Sequence, residues 1–378
     1  MYAPLSGSPA GKSRLAFSLV ELMVASAVVV LLLVILLQMT NSTASIWRRT
    51  TSKAEQFRAA REGFEAINRK LSQATLNTYW DYDNDNAPSR FIRQSELRFI
   101  CGPMSTGANA LAPAPAPPRK WVTDGVFFHA PLGKGTASND QGLPNMLNTC
   151  GYYVEYNDDS NSQPIFLQNV IPLRSRFRLM EMTVPSENVE TYAKTSGGTG
   201  APLNLTYTGR QWFTDFLTGA AEQSGKVRVL AENVVALVIL PRLSTQDEQR
   251  RAASNLKPLS PDYYYDSTYF PNPTDARYQD PETNPINQLP PVVQVTMVAI
   301  DEISAERLAD ASGTSMPVLD PTGMLFSDSR LLFDGPSAPG GGDLSKFEAN
   351  LVAKHLSYRV FTAAVAIRGA KWSRQQIK

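Results

Sequence analysis

The stretch KSRLAFSLVELMVASAVVVLLLVILLQM, residues 12–39, decides how the rest of this chain is interpreted. An apolar run extends from Phe17 to Leu37, and Glu21 is the only charged residue in it. At a rise of 1.5 Å per residue, a run of about 21 residues gives roughly 30 Å of helix, which is enough to cross a bilayer. A carboxylate inside a membrane helix is costly, so we treat Glu21 as a functional residue that needs a partner.

The residues that precede the apolar run distinguish a membrane anchor from a secretory signal. A signal peptide has its small-residue cleavage site after the apolar core. Here the small residue Ala16 lies before the run, and Lys12 and Arg14 precede it. Cleavage after Ala16 would therefore leave the helix on the mature chain. A plain signal anchor and a signal peptide are the alternatives, and both fit this order of parts less well.

The segment AFSLVEL, residues 16–22, resembles the processing site of the type IV prepilin and type II secretion pseudopilin superfamily. Members have a basic leader, a small residue before the cut, Phe as the first mature residue and Glu as the fifth. Phe17 and Glu21 match this pattern, whereas Ala16 stands where the family usually has Gly. The resemblance implies cleavage between Ala16 and Phe17, N-methylation of Phe17, and a role for Glu21 in assembly.

An amphipathic segment follows the apolar run. There is no Pro between Ile46 and Leu76, and apolar residues recur three and four positions apart, at Phe57, Ala60, Phe64, Ile67, Leu71 and Ala74. This spacing predicts one apolar stripe along a helix, with Arg, Lys and Glu on the other faces. We predict a single helix from Phe17 to about Leu76. The resemblance implies that its second half packs on an antiparallel sheet.

These segments predict an α+β protein with a pilin-like plan. The basic leader belongs on the cytoplasmic side of the inner membrane, so we expect a single-pass protein whose C-terminal domain is periplasmic. The predicted parts are a leader at residues 1–16, a transmembrane helix segment at 17–39, an amphipathic helix segment at 40–76, and a globular α+β domain at 77–378 with a long irregular insertion near 243–290.

Several segments of the globular domain have the alternation or the apolar run of β-strands. Residues 95–102, 125–130, 151–156 and 174–182 predict neighbouring strands of one antiparallel sheet, because loops rather than helices connect them. Further predicted strands are 227–240, divided at Glu232-Asn233 and stopped by Pro241, and 291–301 and 357–367. Helices are predicted at 304–311 and 343–355. Within the insertion, Tyr263–Tyr265 either pack the loop onto the sheet or form a contact surface.

Later segments extend the resemblance. Residues 230–234 and 289–295 are similar to J-type minor pseudopilins. Residues 76–80, 358–361 and 370–372 resemble the Verru_Chthon cassette protein C family, which is itself prepilin-like. The long insertions depart from compact pseudopilins.

Two further features leave alternatives open. Cys101 and Cys150, the only cysteines, either form one disulfide in a periplasmic domain or are free buried thiols. The acidic segment 81–86 has the alternating oxygen ligands of a calcium loop, but Asn86 and Ile92 stand where an EF-hand needs Gly and Glu. An irregular calcium site and a solvated turn remain, and calcium is the only cofactor that we consider.

Composition and motifs exclude other classes. The formal net charge is +1, so we expect no nucleic-acid partner. The two histidines accompany no hydrolase or metal motif, and we expect no enzyme activity. We expect a pilin-like subunit of a type IV pilus or type II secretion-like filament, or of its tip complex, with prepilin peptidase, other pilin-like subunits and the inner membrane as partners. The alternative is a single-pass anchored periplasmic binding module that does not assemble.

Overall fold

The computed structural model describes most of the chain from Leu19 onward. The described residues are 19–82, 86–105, 109–112, 120–136, 143–160, 163, 166, 170, 173–189, 210–217, 221–222, 224–267, 280, 282–312 and 315–372. The chain divides into two compact units, residues 1–55 and residues 56–378.

One helix, α1, Leu19–Gln56, makes up the described part of the first unit. The large apolar side chains from Leu19 to Met39 are 45% to 75% exposed, on every side of the helix. The Ser26, Thr40 and Thr43 hydroxyls donate to carbonyls of their own helix, three or four residues earlier in the chain. Within the described residues, Leu22–Thr40 is the one helical stretch long and apolar enough to cross a membrane. The chain therefore has one helix with the length and composition of a membrane anchor or a signal sequence.

The second unit begins with the helix α2, Arg58–Leu71. The predicted single helix differs from the structure at two places. Phe57 has non-helical torsions (φ −92°, ψ 3°) and separates α1 from α2. The helix also ends at Leu71 rather than near Leu76, because tighter turns follow and the Thr75 N–H donates to the His129 carbonyl of a strand.

Three antiparallel sheets follow, and their strands are β1 Tyr79–Tyr82, β2 Phe91–Gln94, β3 Phe99–Pro103, β4 Lys120–Pro131, β5 Leu147–Asn157, β6 Arg176–Val184, β7 Val227–Glu232, β8 Val234–Arg242, β9 Tyr265–Asp266, β10 Val292–Ile300 and β11 Tyr358–Ala366. A hairpin joins β1 and β2, a six-stranded sheet has the order β7-β6-β5-β4-β3-β9, and a three-stranded sheet has the order β11-β10-β8. The four predicted neighbouring strands are confirmed as β3, β4, β5 and β6.

The described residues contain four more α-helices, α3 Gln211–Thr214, α4 Thr245–Ala253, α5 Glu302–Ser312 and α6 Asp343–Ala353, and two 3₁₀ turns at Ser186–Asn188 and Ser329–Leu331. The prediction of an irregular insertion near 243–290 is partly wrong, because α4 and β9 lie inside it. The Ser244 hydroxyl caps α4 by accepting the Asp247 N–H, and Arg250 and Arg251 occupy its last turn. Tyr263–Tyr265 are buried, so the packing alternative for these tyrosines is confirmed.

Two other strand boundaries differ from prediction. β8 continues through Pro241, which lies opposite Val293, to Arg242. Proline has no N–H to donate to a neighbouring strand. It is tolerated at this position because β8 is an edge strand, whose outward-facing N–H groups do not bond to another strand of its sheet. Asp81 and Tyr82 belong to β1 and pair with β2 rather than forming a turn.

The core lies on both faces of the six-stranded sheet. One face packs against α2 and against β8 of the three-stranded sheet, and its cluster includes Phe128, Tyr152 and Leu179. The other face is covered by α3, whose Trp212 and Phe213 are buried. Successive strand residues point to opposite faces, so strands between two such layers are apolar on both sides.

Candidate functional site

The predicted processing site lies at the start of the chain. Ala16 and Phe17 lie outside the described residues, and Glu21 lies in α1, near its first described residue, Leu19. The cleavage, the N-methylation and the assembly role therefore stay predictions. The structure describes the helix that contains Glu21 and the packing of the next helix on the folded domain.

The apolar stripe of α2 is confirmed residue by residue. All six predicted members are buried: Phe57, Ala60, Phe64, Ile67, Leu71 and Ala74. The ring of Phe64 lies 5.7 Å from that of Phe361 on β11. Gly63 lies so close to β6 that a Cβ there would be 3.2 Å from Leu179 Cδ2. The helix thus packs against both the three-stranded and the six-stranded sheet.

A buried carboxylate fixes the C-terminal end of α2. Glu181, on β6, is 1% exposed and accepts hydrogen bonds from Lys70 Nζ at 2.7 Å, from the Tyr152 hydroxyl at 2.8 Å and from Arg228 Nε at 2.7 Å. Burial by itself raises the pKa of Glu181, but these three donors outweigh it and hold the pKa below its usual value. The ion pair therefore stays charged and joins the helix to β6 and β7.

The sequence pattern does not predict this pair, because Lys70 lies off the apolar stripe, among the Arg, Lys and Glu residues of the other helix faces. The sequence signal for this pair lies on β6. Glu181 has the same parity as Phe177 and Leu179, so a period of two places it on the apolar face of β6. A carboxylate on that face needs a cation or several donors.

A bulge in β4 joins the two larger sheets. The Thr123 hydroxyl accepts the Leu237 N–H, and Asp124 Oδ2 accepts the Ile239 N–H, both at 2.9 Å. The register of β4 on β5 shifts between Val122 and the residues after the bulge. The side chains of the bulge thus take the place of a neighbouring strand for β8. Burial raises the pKa of Asp124 to about 8, although the Ile239 N–H acts in the opposite direction.

His129 is buried on the other face of the same strand. Its ring stacks on Trp212 with centroids 4.8 Å apart, and Nδ1 lies 3.1 Å from the Arg98 carbonyl oxygen. Burial lowers the pKa of His129 to about 4. The imidazole is therefore neutral at physiological pH and acts as a packed ring of the core.

Cys101 and Cys150 are free thiols in the structure, and both are buried. Cys101 lies on β3 opposite Val126 of β4, whereas Cys150 lies on β5 opposite Phe128 of β4. One strand separates them, and their partners on β4 are two residues apart, so their Cα atoms are roughly 12 Å apart, beyond the roughly 7 Å that a disulfide spans. Burial raises the pKa of both thiols, that of Cys150 to about 12. Of the two alternatives, the structure has the free buried thiols.

The predicted calcium loop lies partly outside the described residues, which omit 83–85. Among the residues that are described, no group of three or more His, Cys, Asp or Glu side chains is arranged to hold a metal ion. Calcium binding in this segment stays a prediction.

Comparisons of the chain with protein-family models, with characterised proteins and with solved structures gave no match. The features that bear on function are therefore an exposed apolar helix, a second helix packed on two sheets, and the sequence motif at residues 16–22.

Proposed function

We propose that this chain is a pilin-like subunit, cut before Phe17 by a prepilin peptidase and assembled with other pilin-like subunits into a type IV pilus or type II secretion-like filament, or into its tip complex. Its C-terminal domain would lie in the periplasm and its helix in the inner membrane until assembly. The observation that carries the proposal is the position of Glu21, five residues after Ala16, in an otherwise apolar helix.

The contrast between the two helices supports the proposal. The stripe of α2 is covered by the domain that it belongs to. The apolar side chains of α1 from Leu19 to Met39 are exposed on all sides, as in a helix that is surrounded by lipid or by other helices. A filament subunit needs both surfaces, one to carry its domain and one to move from the bilayer into a bundle.

Cleavage gives Glu21 a partner. It creates an α-amino group on Phe17, four residues away, about 6 Å along the helix axis. A neighbouring subunit shifted along the axis brings its own amino group directly to the carboxylate. Such a pair neutralises both charges in lipid and fixes the axial register of the helices. N-methylation keeps the amine protonatable.

The first experiment tests processing. The chain is coexpressed with a prepilin peptidase, and the N-terminus is analysed by mass spectrometry. We expect a mature chain that starts at methylated Phe17. Ala16→Gly, which restores the usual residue of the family, should be cut at least as fast, and Ala16→Leu should block the cut. An intact Met1 or a cut beyond Leu37 would contradict the proposal.

The second experiment separates insertion from assembly. Glu21→Ala should insert as well as the wild type, because it removes a costly charge, but its crosslinking to partner subunits in membranes should be lost. Ser26→Ala, on the same helix, is the matched control and should assemble normally. If Glu21→Ala assembles like the wild type, the anchored binding module becomes the better interpretation.

A further inference from the structure

The strand β11, Tyr358–Ala366, forms one edge of the three-stranded sheet. It pairs with β10 along all nine of its residues, and the register does not shift anywhere along the pair. A strand at the edge of a sheet presents N–H and C=O groups that another chain can pair with, so proteins usually shorten, bend or charge such strands. We call the side of this strand that faces away from β10 the β11 edge.

Backbone hydrogen bonds just beyond the two ends of β11 show which of its groups lie on the β11 edge. At one end the Asp301 N–H donates to the Ser357 carbonyl, in register with the pair of β10 and β11. At the other end the Ile367 N–H donates to the Pro291 carbonyl. Bonded pairs recur at every second residue of an antiparallel ladder, so the odd-numbered residues of β11 bond to β10. The even-numbered residues point their N–H and C=O groups outward, and among the described residues no hydrogen bond occupies those groups. These residues are Tyr358, Val360, Thr362, Ala364 and Ala366.

The other edges of the two larger sheets are short, bent or already occupied. β9 has two residues, and β7 has a shift in its register with β6 and two charged residues, Arg228 and Glu232. On β8, the outward N–H groups of Leu237 and Ile239 donate to side chains of the β4 bulge. β11 is long and unbent, contains no Pro, and has Arg359 as its only charged residue. It therefore lacks the usual protection of an edge strand.

The side chains of β11 leave room for a neighbouring strand and indicate its charge. Thr362, Ala364 and Ala366 are small and exposed. Arg359 is also exposed, and its guanidinium lies 5.7 Å from the ring centre of Phe361. No carboxylate of the described residues pairs with this guanidinium. An exposed arginine without an acidic partner favours an acidic residue on the strand beside it.

We propose that the β11 edge binds an extended segment of a partner protein, which joins the three-stranded sheet as an antiparallel fourth strand. Outward N–H and C=O groups at every second residue are complementary to another extended backbone, and strand addition of this kind is a recurring mode of peptide recognition. The even-numbered residues form the hydrogen-bonded pairs with the segment. Arg359 is odd-numbered, so it lies in a non-hydrogen-bonded pair, where opposing side chains are closest. The segment therefore carries Asp or Glu opposite Arg359 and small or β-branched residues opposite Thr362 and Ala364.

Strand addition goes beyond the proposed function and does not depend on it, because β11 belongs to the second unit. The first test uses the full chain in detergent micelles, which shield α1. The probe is a labelled peptide of alternating Thr and Val, nine residues long like β11, with Glu at the position that opposes Arg359. We expect saturable binding by fluorescence anisotropy. Amide hydrogen exchange read at single residues should show the even-numbered N–H groups of β11 unprotected in the free chain and protected with the peptide, and the odd-numbered groups protected in both.

Proline substitutions distinguish the outer side of β11 from the side that bonds to β10. Ala364→Pro removes an outward N–H and leaves the bonds to β10 in place. It should weaken peptide binding about tenfold, while the urea midpoint of unfolding stays close to that of the wild type. Ala364→Ser is the matched control and should bind the peptide like the wild type. Ala363→Pro removes an N–H that bonds to β10, so it should lower the urea midpoint.

A charge reversal tests the contact of Arg359 without changing the backbone. A peptide with Lys in place of Glu should bind the wild type about fivefold more weakly, and Arg359→Glu should prefer the Lys peptide. The proposal is overturned if the Glu peptide does not bind, if Ala364→Pro binds it like the wild type, or if both peptides bind equally well. Protection of the even-numbered N–H groups that rises with protein concentration in the absence of peptide would assign the β11 edge to a second copy of this chain, and would also overturn the proposal.

Discussion

Asp124 is expected to make the domain less stable as the pH rises. Its carboxyl is 2% exposed, and burial raises its pKa from 3.8 to about 8 in the folded chain. Between these two values the folded state holds a proton that the unfolded state has released, so the free energy of unfolding falls with increasing pH. At about 1.36 kcal/mol per unit, the full window amounts to at most about 6 kcal/mol.

His129 acts in the opposite direction over part of that window. Its pKa falls from 6.5 to about 4 on folding. The contribution of His129 to the free energy of unfolding is therefore complete above pH 6.5 and is lost as the pH falls to 4. Between pH 4 and 6.5 the two effects oppose each other, so the free energy of unfolding changes little with pH. Of these two groups, Asp124 is the one that titrates between pH 6.5 and 8, and we expect its titration to lower the free energy of unfolding by about 2 kcal/mol over that range.

Asp124→Asn isolates the effect. The amide oxygen still accepts the Ile239 N–H, so the contact between the sheets is kept while the titration is removed. Urea unfolding of the full chain in micelles, followed by the fluorescence of the buried Trp121 and Trp212, should show the variant flat from pH 6.5 to 8 and destabilised below pH 6.5. Asp81→Asn, an exposed carboxyl on β1, changes the net charge equally and should follow the wild type. A variant that keeps the wild-type slope above pH 6.5 would refute the reasoning.

Three more outcomes test the packing of the domain. Glu181→Leu should lower the free energy of unfolding by about 3 kcal/mol, because the partly buried Lys70 loses its carboxylate partner and the Tyr152 hydroxyl loses its acceptor, and an unchanged urea midpoint would contradict that account. Gly151→Ala should cost about 1–3 kcal/mol, since its Cβ would come within 2.4 Å of a phenylalanine ring, while Gly335→Ala should be neutral in the same thermal unfolding assay. Cys101 and Cys150 should both be silent to a thiol reagent in the native protein and both react in denaturant; fewer than two reactive thiols after unfolding without reductant would indicate a disulfide.

Much of the fold could be predicted because its signals are local. The stripe from Phe57 to Ala74 follows a helical period, and all of its members are buried. The strands β3 to β6 alternate or form apolar runs, and each lies next to the strand that follows it in the chain. Such elements need no knowledge of distant residues, so the period and the loop lengths are sufficient.

The features that sequence reasoning missed depend on partners far along the chain. The Lys70–Glu181 pair joins residues 111 positions apart, and the Thr123 and Asp124 side chains meet β8 more than a hundred positions later. No period in the sequence shows that β8, β10 and β11 leave the six-stranded sheet and form a second one. The sequence also does not show the break at Phe57. The apolar spacing continues through this residue, although its backbone torsions are not helical.

The environments of the two helices explain why one residue carries so much of the functional proposal. The described core begins at Phe57, and no apolar side chain between Leu19 and Met39 belongs to it. Lipid is a sufficient environment for the Leu, Val, Ile and Met side chains of α1. Lipid is not sufficient for Glu21, whose carboxylate needs a cation or several donors. Surroundings that suit all of α1 must supply both an apolar phase and a positive charge at one depth, and under the proposed function a second helix cut before Phe17 would supply both.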